Sequence, residues 1–426
     1  MFKLLKLSLK QTVLFIFGAC SLHAQDNFPE FNFTGYGDLR ASYSSGEPSW
    51  LDRGLGKTRY GSDPFGNNEV RFNLAEAALL METKFNWQLS SYLNLKFDPE
   101  QKNSIDVVEA YFKYNKLLDA GYRLEGRLGS FYPHISLENF GIGWTSPYSI
   151  TPSAINSWIG EEVKTTGLEI STEHEFENHA LRLNAGMFGF NDPSGTLLFF
   201  RGWALHDNKT TLFGEYPIAP LNIISPTGMF DKQSPFTVPH LELDNRPGFF
   251  AGFNWEYFGI FSLNGIYYDN RGDPSIVKNG QYSWETEFIN LGLTVDIFEE
   301  TEIFGQFMTG NTKMGPWVDN VRPADVDYQS FYLMVSHPIG IHRISARYDN
   351  FSVSDNSFVA VDNNNETGHS LMIAYAVEPF ENQQLIFEFL HVISTRFARI
   401  ELGLGQKIQK TSCRQVTGSH FNCRPS

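Results

Sequence analysis

The sequence predicts an all-β fold in which about sixteen antiparallel strands, running up and down, close into a barrel. Three observations predict it. Apolar and polar residues alternate with a period of two in many segments, for example over residues 289–297 and 343–349. The connections between these segments are short and long in turn. Almost no segment has the 3.6-residue periodicity of an amphipathic helix.

The first 24 residues have the pattern of a secretory signal peptide and precede the predicted barrel. Lys3, Lys6 and Lys10 stand before a short apolar run, and Ala24 is the expected last residue before cleavage. Cys20 leaves a second interpretation open, a lipoprotein signal that ends at that cysteine. With residues 1–24 removed as a signal peptide, we expect residues 25–410 to form the β-barrel.

Fifteen segments carry the strand pattern. In chain order they are 31–43, 69–84, 87–97, 105–115, 122–131, 165–176, 179–190, 248–257, 260–270, 285–298, 301–311, 327–336, 342–353, 368–378 and 383–394. Short turns and long connections alternate between them, which is typical of outer-membrane barrels with long external loops. A barrel with both chain ends on the same side needs an even number of strands, so one strand is lacking.

The lacking strand would come from the C-terminal residues 411–426, which read TSCRQVTGSHFNCRPS. This segment does not alternate, and it contains Cys413 and Cys423, the two cysteines left after removal of the signal peptide. Codons for residues 411–418 read two bases later can encode the alternating segment QLQASYR. We therefore expect the last strand to be missing or altered, and we hypothesise that residues 411–426 are an aberrant tail produced by a frameshift. The nucleotide sequence tests this hypothesis.

Composition excludes several classes of protein. The mature chain would carry 30 basic and 48 acidic residues, a formal charge of −18, which argues against a nucleic-acid partner. Beyond the signal peptide, no apolar run approaches the about 18 residues of a transmembrane helix. The sequence has none of the common hydrolase, P-loop, metal or redox motifs, so we predict no enzymatic activity, no cofactor and no metal site.

The alternating faces predict a transmembrane barrel whose apolar side meets lipid and whose polar side lines a lumen. Closing the sheet pairs every backbone amide and carbonyl group, as a hydrocarbon environment requires. Aromatic residues gather near predicted strand ends, for example Trp255, Tyr257 and Phe258, as in the aromatic girdles of membrane barrels. A soluble β-sandwich with aromatic corners is the alternative.

Charged residues on the polar faces are the candidates for the lining of the lumen. An arginine on the lipid side would cost about 2–4 kcal/mol at mid-membrane, so alternation assigns these residues to the interior. The predicted pore-lining residues are Arg40, Arg71, Arg123, Glu125, Arg127, Arg182, Arg343, Arg347 and Asp349. For each of them, a purely structural ion pair is the alternative role.

Three segments carry a resemblance to a known family: GRLGSFYPHISLEN, IFGQFMTGNTKMG and ISARYDNFSVSD. With them the chain resembles Gram-negative outer-membrane porins, in particular the phosphate-selective porin O/P-like group. The resemblance implies homotrimers in the outer membrane, in contact with its lipid and lipopolysaccharide, and insertion by the barrel-assembly machinery. It also implies that the long connection after the fifth strand folds inward and narrows the channel.

That connection, residues 132–162, is rich in Trp, Pro, Ser and Gly and is too long for an ordinary turn. Its candidate constriction residues are Glu138, Trp144, Tyr148, Trp158, Glu161 and Glu162. The aromatic residues would wedge it against the wall, and the acids would face arginines. A mobile external lid is the alternative.

Together these patterns predict an outer-membrane porin that allows passive diffusion of small hydrophilic solutes or ions through a water-filled channel. The alternative is an outer-membrane β-barrel with a plugged lumen that acts as a structural protein or an adhesin.

Overall fold

The computed structural model describes residues 28–118, 121–297, 300–317, 321–357 and 362–423, with the backbone alone at 410 and 417–423. The predicted signal peptide, residues 1–24, lies outside the described residues.

In these residues, sixteen antiparallel strands form one closed barrel, in which each strand pairs with its neighbours in chain order. The strands are β1 (Glu30–Ser44), β2 (Glu69–Lys84), β3 (Leu89–Phe97), β4 (Ile105–Leu117), β5 (Tyr122–Phe131), β6 (Thr165–Phe176), β7 (His179–Gly189), β8 (Gly248–Tyr257), β9 (Phe261–Asp269), β10 (Glu285–Ile297), β11 (Thr301–Met314), β12 (Ala324–Ile339), β13 (His342–Asp355), β14 (Glu366–Phe380), β15 (Gln383–Arg396) and β16 (Lys407–Cys423). The predicted all-β barrel is therefore confirmed.

The two faces of the sheet differ as the alternation predicted. Along β12, Tyr328 and Tyr332 point inward and are buried, whereas Phe331 and Leu333 point outward and are 41% and 53% exposed. The same alternation of buried and exposed residues runs along β14. An apolar outer face on a closed sheet is the surface that a membrane barrel presents to lipid.

The expectation that the last strand is missing was wrong. Residues 407–419 of β16 pair with β15, and residues 412–423 pair with β1, so this strand closes the barrel. Strand pairing uses backbone groups, so neighbours on both sides can hold a segment whose side chains do not alternate. The frameshift hypothesis concerns the gene and stays a prediction.

Connections at one end of the barrel are short turns and those at the other end are long; we call these the short-turn end and the long-loop end. Among the described residues, the long connections contain helices α1 (Ala154–Glu162) and α2 (Thr196–Phe200) and 3₁₀ turns at Trp50–Asp52, Asn222–Ile224 and Phe397–Leu402. Two small hairpins pair Tyr216–Pro217 with Phe236–Thr237 and Val277–Lys278 with Gln281–Tyr282.

Neither helix of the described chain is long and apolar enough to cross a membrane.

The barrel interior as candidate functional site

Of the long connections that are buried at the long-loop end, two contain helices and enter the barrel. The first inserted segment, residues 132–164, follows β5 and contains α1. The second inserted segment, residues 191–211, follows β7 and contains α2. Nearly every residue of the second segment is buried. The second inserted segment therefore lies inside the barrel.

Helix α1 is buried on all sides. Ser153 caps its N-terminus, because its hydroxyl accepts a hydrogen bond from the backbone N–H of Asn156 at 3.2 Å. The Trp158 ring packs against Phe288 of β10 and Tyr328 of β12, with ring centroids 5.6 and 5.2 Å apart. All nine residues of α1 are buried, so the helix forms part of a core inside the barrel.

The first inserted segment crosses the interior and is fastened to the wall far from β5. Gln306 of β11 donates a hydrogen bond to the carbonyl of Ile135 at 2.8 Å. Glu388 of β15 accepts hydrogen bonds from the backbone N–H groups of Ile150 and Thr151 at 2.8 and 2.9 Å. These wall side chains satisfy backbone groups that would otherwise be buried without partners, which allows so long a connection to be ordered.

A buried ion cluster adds a third attachment. The Arg347 guanidinium of β13 lies 3.2 Å from the Glu138 carboxylate and 2.9 Å from that of Asp349, and all three side chains are fully buried. Arg347 also donates to the carbonyl oxygens of Thr151 and Pro152 at 2.7 and 2.9 Å. Burial raises the pKa of Glu138, against the opposing effect of Arg347.

The two inserted segments are joined to each other by the acids at the end of α1. Arg201 donates to both carboxylate oxygens of Glu161, at 2.6 and 2.7 Å. Burial alone would raise the pKa of Glu161, but Arg201 and His206 hold it at about 2. Glu162 accepts hydrogen bonds from the backbone N–H of Leu197 and from Trp158 Nε1, and burial raises its pKa to about 7.

All nine predicted pore-lining residues face the interior by register, but they lie in two different surroundings. Arg40, Glu125, Arg127, Arg347 and Asp349 are 8% exposed or less, because the inserted segments or neighbouring charged side chains cover them. The side chains of Arg123, Arg182 and Arg343 are 47%, 21% and 27% exposed towards the short-turn end. The Arg71 side chain is 26% exposed at the long-loop end, beside Asp52 and Glu69.

The predicted constriction residues all lie within the first inserted segment. Tyr148 packs on Phe304 of β11, with ring centroids 4.7 Å apart, and Trp144 stacks on Tyr132 of its own segment at 4.5 Å. Of the three acids, Glu138 contacts an arginine of the wall, whereas Glu161 contacts an arginine of the second segment. Glu162 instead caps backbone N–H groups.

The short-turn half of the interior keeps a polar wall that is partly open; we call it the vestibule. Glu125 lies 3.1 Å from Lys113 and 2.9 Å from Arg182, and Arg123 lies 3.3 Å from Glu173. Positive and negative side chains therefore alternate along β4–β7. The vestibule is therefore charged without a strong excess of either sign.

A cleft of about 90 Å³ extends from the short-turn half towards the second inserted segment. Its lining includes Gln384 near the short-turn end of β15, Asp38 and Arg40 of β1, and Asp207 and Lys209 of the second segment. Arg40 binds Asp207 at its inner end, with Nη2 2.7 Å from Oδ2.

Sequence reasoning missed the residues that dock the inserted segments. Alternation along β11 and β15 places Gln306 and Glu388 on the inner face, so their polarity on that face was an available signal. Arg201, Asp207 and Lys209 lie in a segment without strand alternation, and no pattern pointed to their contacts.

No protein-family model matches the chain, and no curated protein matches it in sequence. Solved structures match its fold. The outer membrane channel DcaP of Acinetobacter baumannii is 11% identical with a TM-score of 0.55, over 94% of this chain and all of that one. The anion-selective porin from Comamonas acidovorans is 12% identical with a TM-score of 0.54, over 92% and 100%. Salmonella typhi OmpF, in a complex with daunomycin, is 11% identical with a TM-score of 0.50, over 94% and 100%.

These similarities define the class of protein by its fold. The chain is a closed sixteen-stranded β-barrel with an apolar outer face, and it shares the architecture of the outer-membrane porins and channels that it matches. At 11–12% identity the likeness concerns the fold.

Proposed function

We propose that the protein is an outer-membrane porin through which small hydrophilic solutes or ions diffuse passively. The observation that carries this proposal is the vestibule, a charged and partly open lumen inside a closed sheet whose outer face is apolar. Sixteen strands enclose a lumen too wide for wall side chains to fill. The two inserted segments set its free width.

The mixed charge of the vestibule should give the pore only a weak selectivity between anions and cations. Lys113, Arg123 and Arg182 alternate with Glu125 and Glu173, so neither sign of ion meets a continuous barrier. Solute size, rather than charge, then decides passage.

A second candidate is the plugged barrel with a structural or adhesive role. It is favoured by the depth of burial around the inserted segments, where Trp158, Trp203 and Arg347 are 1% exposed or less. In this alternative the inserted segments never leave the lumen.

Recording from the full chain in a planar lipid bilayer tests both candidates. The porin proposal expects discrete conductance steps, whereas a protein that inserts correctly and stays silent supports the plugged barrel. Deleting residues 138–157 should raise the conductance only in part, because the second inserted segment remains. A matched deletion of the exposed loop tip 64–67 should leave the conductance unchanged.

Three finer features belong to this proposal. They are membership of the phosphate-selective porin O/P-like group, assembly as a homotrimer, and cleavage after Ala24. Reversal potentials in phosphate and chloride gradients test the first. Light scattering in detergent counts subunits, and N-terminal sequencing of the mature protein locates the cleavage site.

A further inference from the structure

At the inner end of the cleft, two buried arginines bind a carboxylate of the chain itself, that of Asp207. Arg40 approaches both oxygens of Asp207, at 3.2 and 2.7 Å, and Arg59, in the connection between β1 and β2, approaches one of them at 3.3 Å. Arg40 and Arg59 are 3% and 1% exposed. Two guanidinium groups converging on one carboxylate form a strong oxyanion site.

More guanidinium groups lie around the Asp207 carboxylate than this one carboxylate can bind. Arg40, Arg59 and Arg414 all lie within 5.9 Å of the centroid of the Tyr60 ring. Among the described residues, Arg40 Nε and Arg414 Nη2 are buried without a hydrogen-bond partner. Buried donors without partners are costly, and an additional oxyanion would satisfy them.

Other acids contact the same arginines from the wall. Asp38 pairs with Arg40, while Asp98 and Glu100 lie 3.0 and 3.5 Å from Arg59. These acids belong to β1 and to the connection after β3. Asp207 differs from them, because it is carried into the barrel by the second inserted segment.

Asp207 is also the more exposed member of its pair with Arg40. Its side chain is 17% exposed, against 1% for Arg40, and both line the cleft together with Asp38 and Lys209. A volume of about 90 Å³ accommodates a molecule of a few non-hydrogen atoms. A small solute that enters from the vestibule would meet this ion pair.

We propose that Arg40 and Arg59 form a binding site for small carboxylates, that Asp207 occupies the site as a tethered carboxylate, and that a free carboxylate displaces it. Displacement loosens residues 203–211, which makes the site a ligand-sensitive gate. The inference deepens the proposed porin function, on which it rests for the route of the solute.

Competition sets the expected affinity. A tethered carboxylate acts at an effective concentration that is commonly millimolar or higher. A free carboxylate must compete with Asp207. Its apparent affinity is therefore the intrinsic affinity of the site multiplied by the fraction of molecules in which Asp207 has left the arginines. Removing the Asp207 charge should therefore strengthen the binding of free carboxylate.

Calorimetric titration of the full chain in detergent micelles with acetate tests the site. Asp207→Asn should bind acetate at least about tenfold more tightly than the wild type. Asp231→Asn, which alters an exposed aspartate of the same long connection, should match the wild type. Adding Arg40→Gln to Asp207→Asn should abolish the gain. Equal acetate affinity in Asp207→Asn and Asp231→Asn would overturn the proposal.

A second measurement does not depend on the variants folding. In the wild type, acetate should accelerate hydrogen exchange of residues 203–211 relative to chloride at equal ionic strength, and unchanged exchange overturns the gate. Both readouts are independent of conductance. If the protein binds acetate but does not conduct, the carboxylate site stands and the porin proposal fails. If it conducts but does not bind acetate, the porin proposal stands and the carboxylate site fails.

Discussion

At the scale of single residues, the sequence indicated which side chains point inward but not which of them meet. Alternation placed Arg347 and Asp349 on the inner face of β13, and the inward loop supplied Glu138 as a candidate. Arg347 and Glu138 are separated by 209 positions in the chain. Their contact depends on how the first inserted segment packs, which no local pattern encodes.

Arg347→Ala should strongly destabilise the barrel, because it leaves the buried carboxylates of Glu138 and Asp349 without a cation. Removing one partner of a buried ion cluster typically costs about 3–5 kcal/mol. Arg123→Ala is the matched control, since its pair with Glu173 is half-exposed and worth about 1 kcal/mol or less. Urea unfolding from lipid vesicles measures both, and equal losses would contradict the buried cluster.

Docking of α1 should weaken as the pH rises from about 4.5 to about 7. Burial raises the pKa of Glu162 from its ordinary 4.5 to about 7, so in this window the docked state holds a proton that the undocked state has lost. The difference amounts to about 3 kcal/mol at most. The Lys164 pKa, lowered by burial to about 7, acts with the opposite sign above this window.

Hydrogen exchange of residues 154–162 at pH 5 and pH 7, corrected for intrinsic rates, measures this dependence. The pKa of Asp192 is also raised to about 7 by burial and acts in the same direction. Glu162→Gln therefore isolates the contribution of Glu162, because a neutral amide removes that part of the slope. An unchanged pH dependence in Glu162→Gln would count against the assignment.

At the scale of elements, the strands could be predicted closely and the inserted segments could not. β2, β5, β6 and β8 begin and end at the predicted residues. Lipid on one side and a polar interior on the other impose strict alternation, which is visible in a local window. Residues 191–211 pack against other parts of the interior on all sides, and burial of that kind has no period.

Glu388→Ala should release the turn of the first inserted segment at residues 149–152. The Glu388 carboxylate accepts hydrogen bonds from the backbone N–H groups of Ile150 and Thr151 and from the Thr151 hydroxyl, the last at 2.6 Å. Without it these groups are buried and unpaired, at about 1–3 kcal/mol each. Exchange of the Ile150 and Thr151 amides should accelerate at least about tenfold.

Glu256→Ala is the matched control for Glu388→Ala, because Glu256 also points inward but is exposed in the vestibule. It should leave exchange in the turn unchanged. If both variants behave alike, Glu388 does not hold the turn.

At the scale of the whole molecule, the strand that closes the barrel is the feature that the sequence pattern did not predict. β16 completes the sheet, yet its outward positions Gln409, Thr411, Cys413 and Gln415 are polar or weakly apolar. On neighbouring β15 the outward side chains include Phe387 and Phe389, which are 42% and 39% exposed. An alternation criterion rejects β16 because its outer face lacks apolar residues, although its backbone finds partners on both sides.

This contrast predicts that the outer face of β16 can be improved. Cys413 pairs with Phe389 and Gln415 pairs with Phe387, so leucine at either position would extend an apolar surface already present on β15. Each of Cys413→Leu and Gln415→Leu should stabilise the inserted barrel by about 1–2 kcal/mol, through added apolar area in contact with lipid. Urea unfolding from vesicles measures the gain.

Ser412→Leu is the matched control on the inner face, where Ser412 is fully buried, and overpacking there should cost about 1–3 kcal/mol. If leucine at 413 or 415 destabilises the barrel as it does at 412, then that face of β16 does not meet lipid.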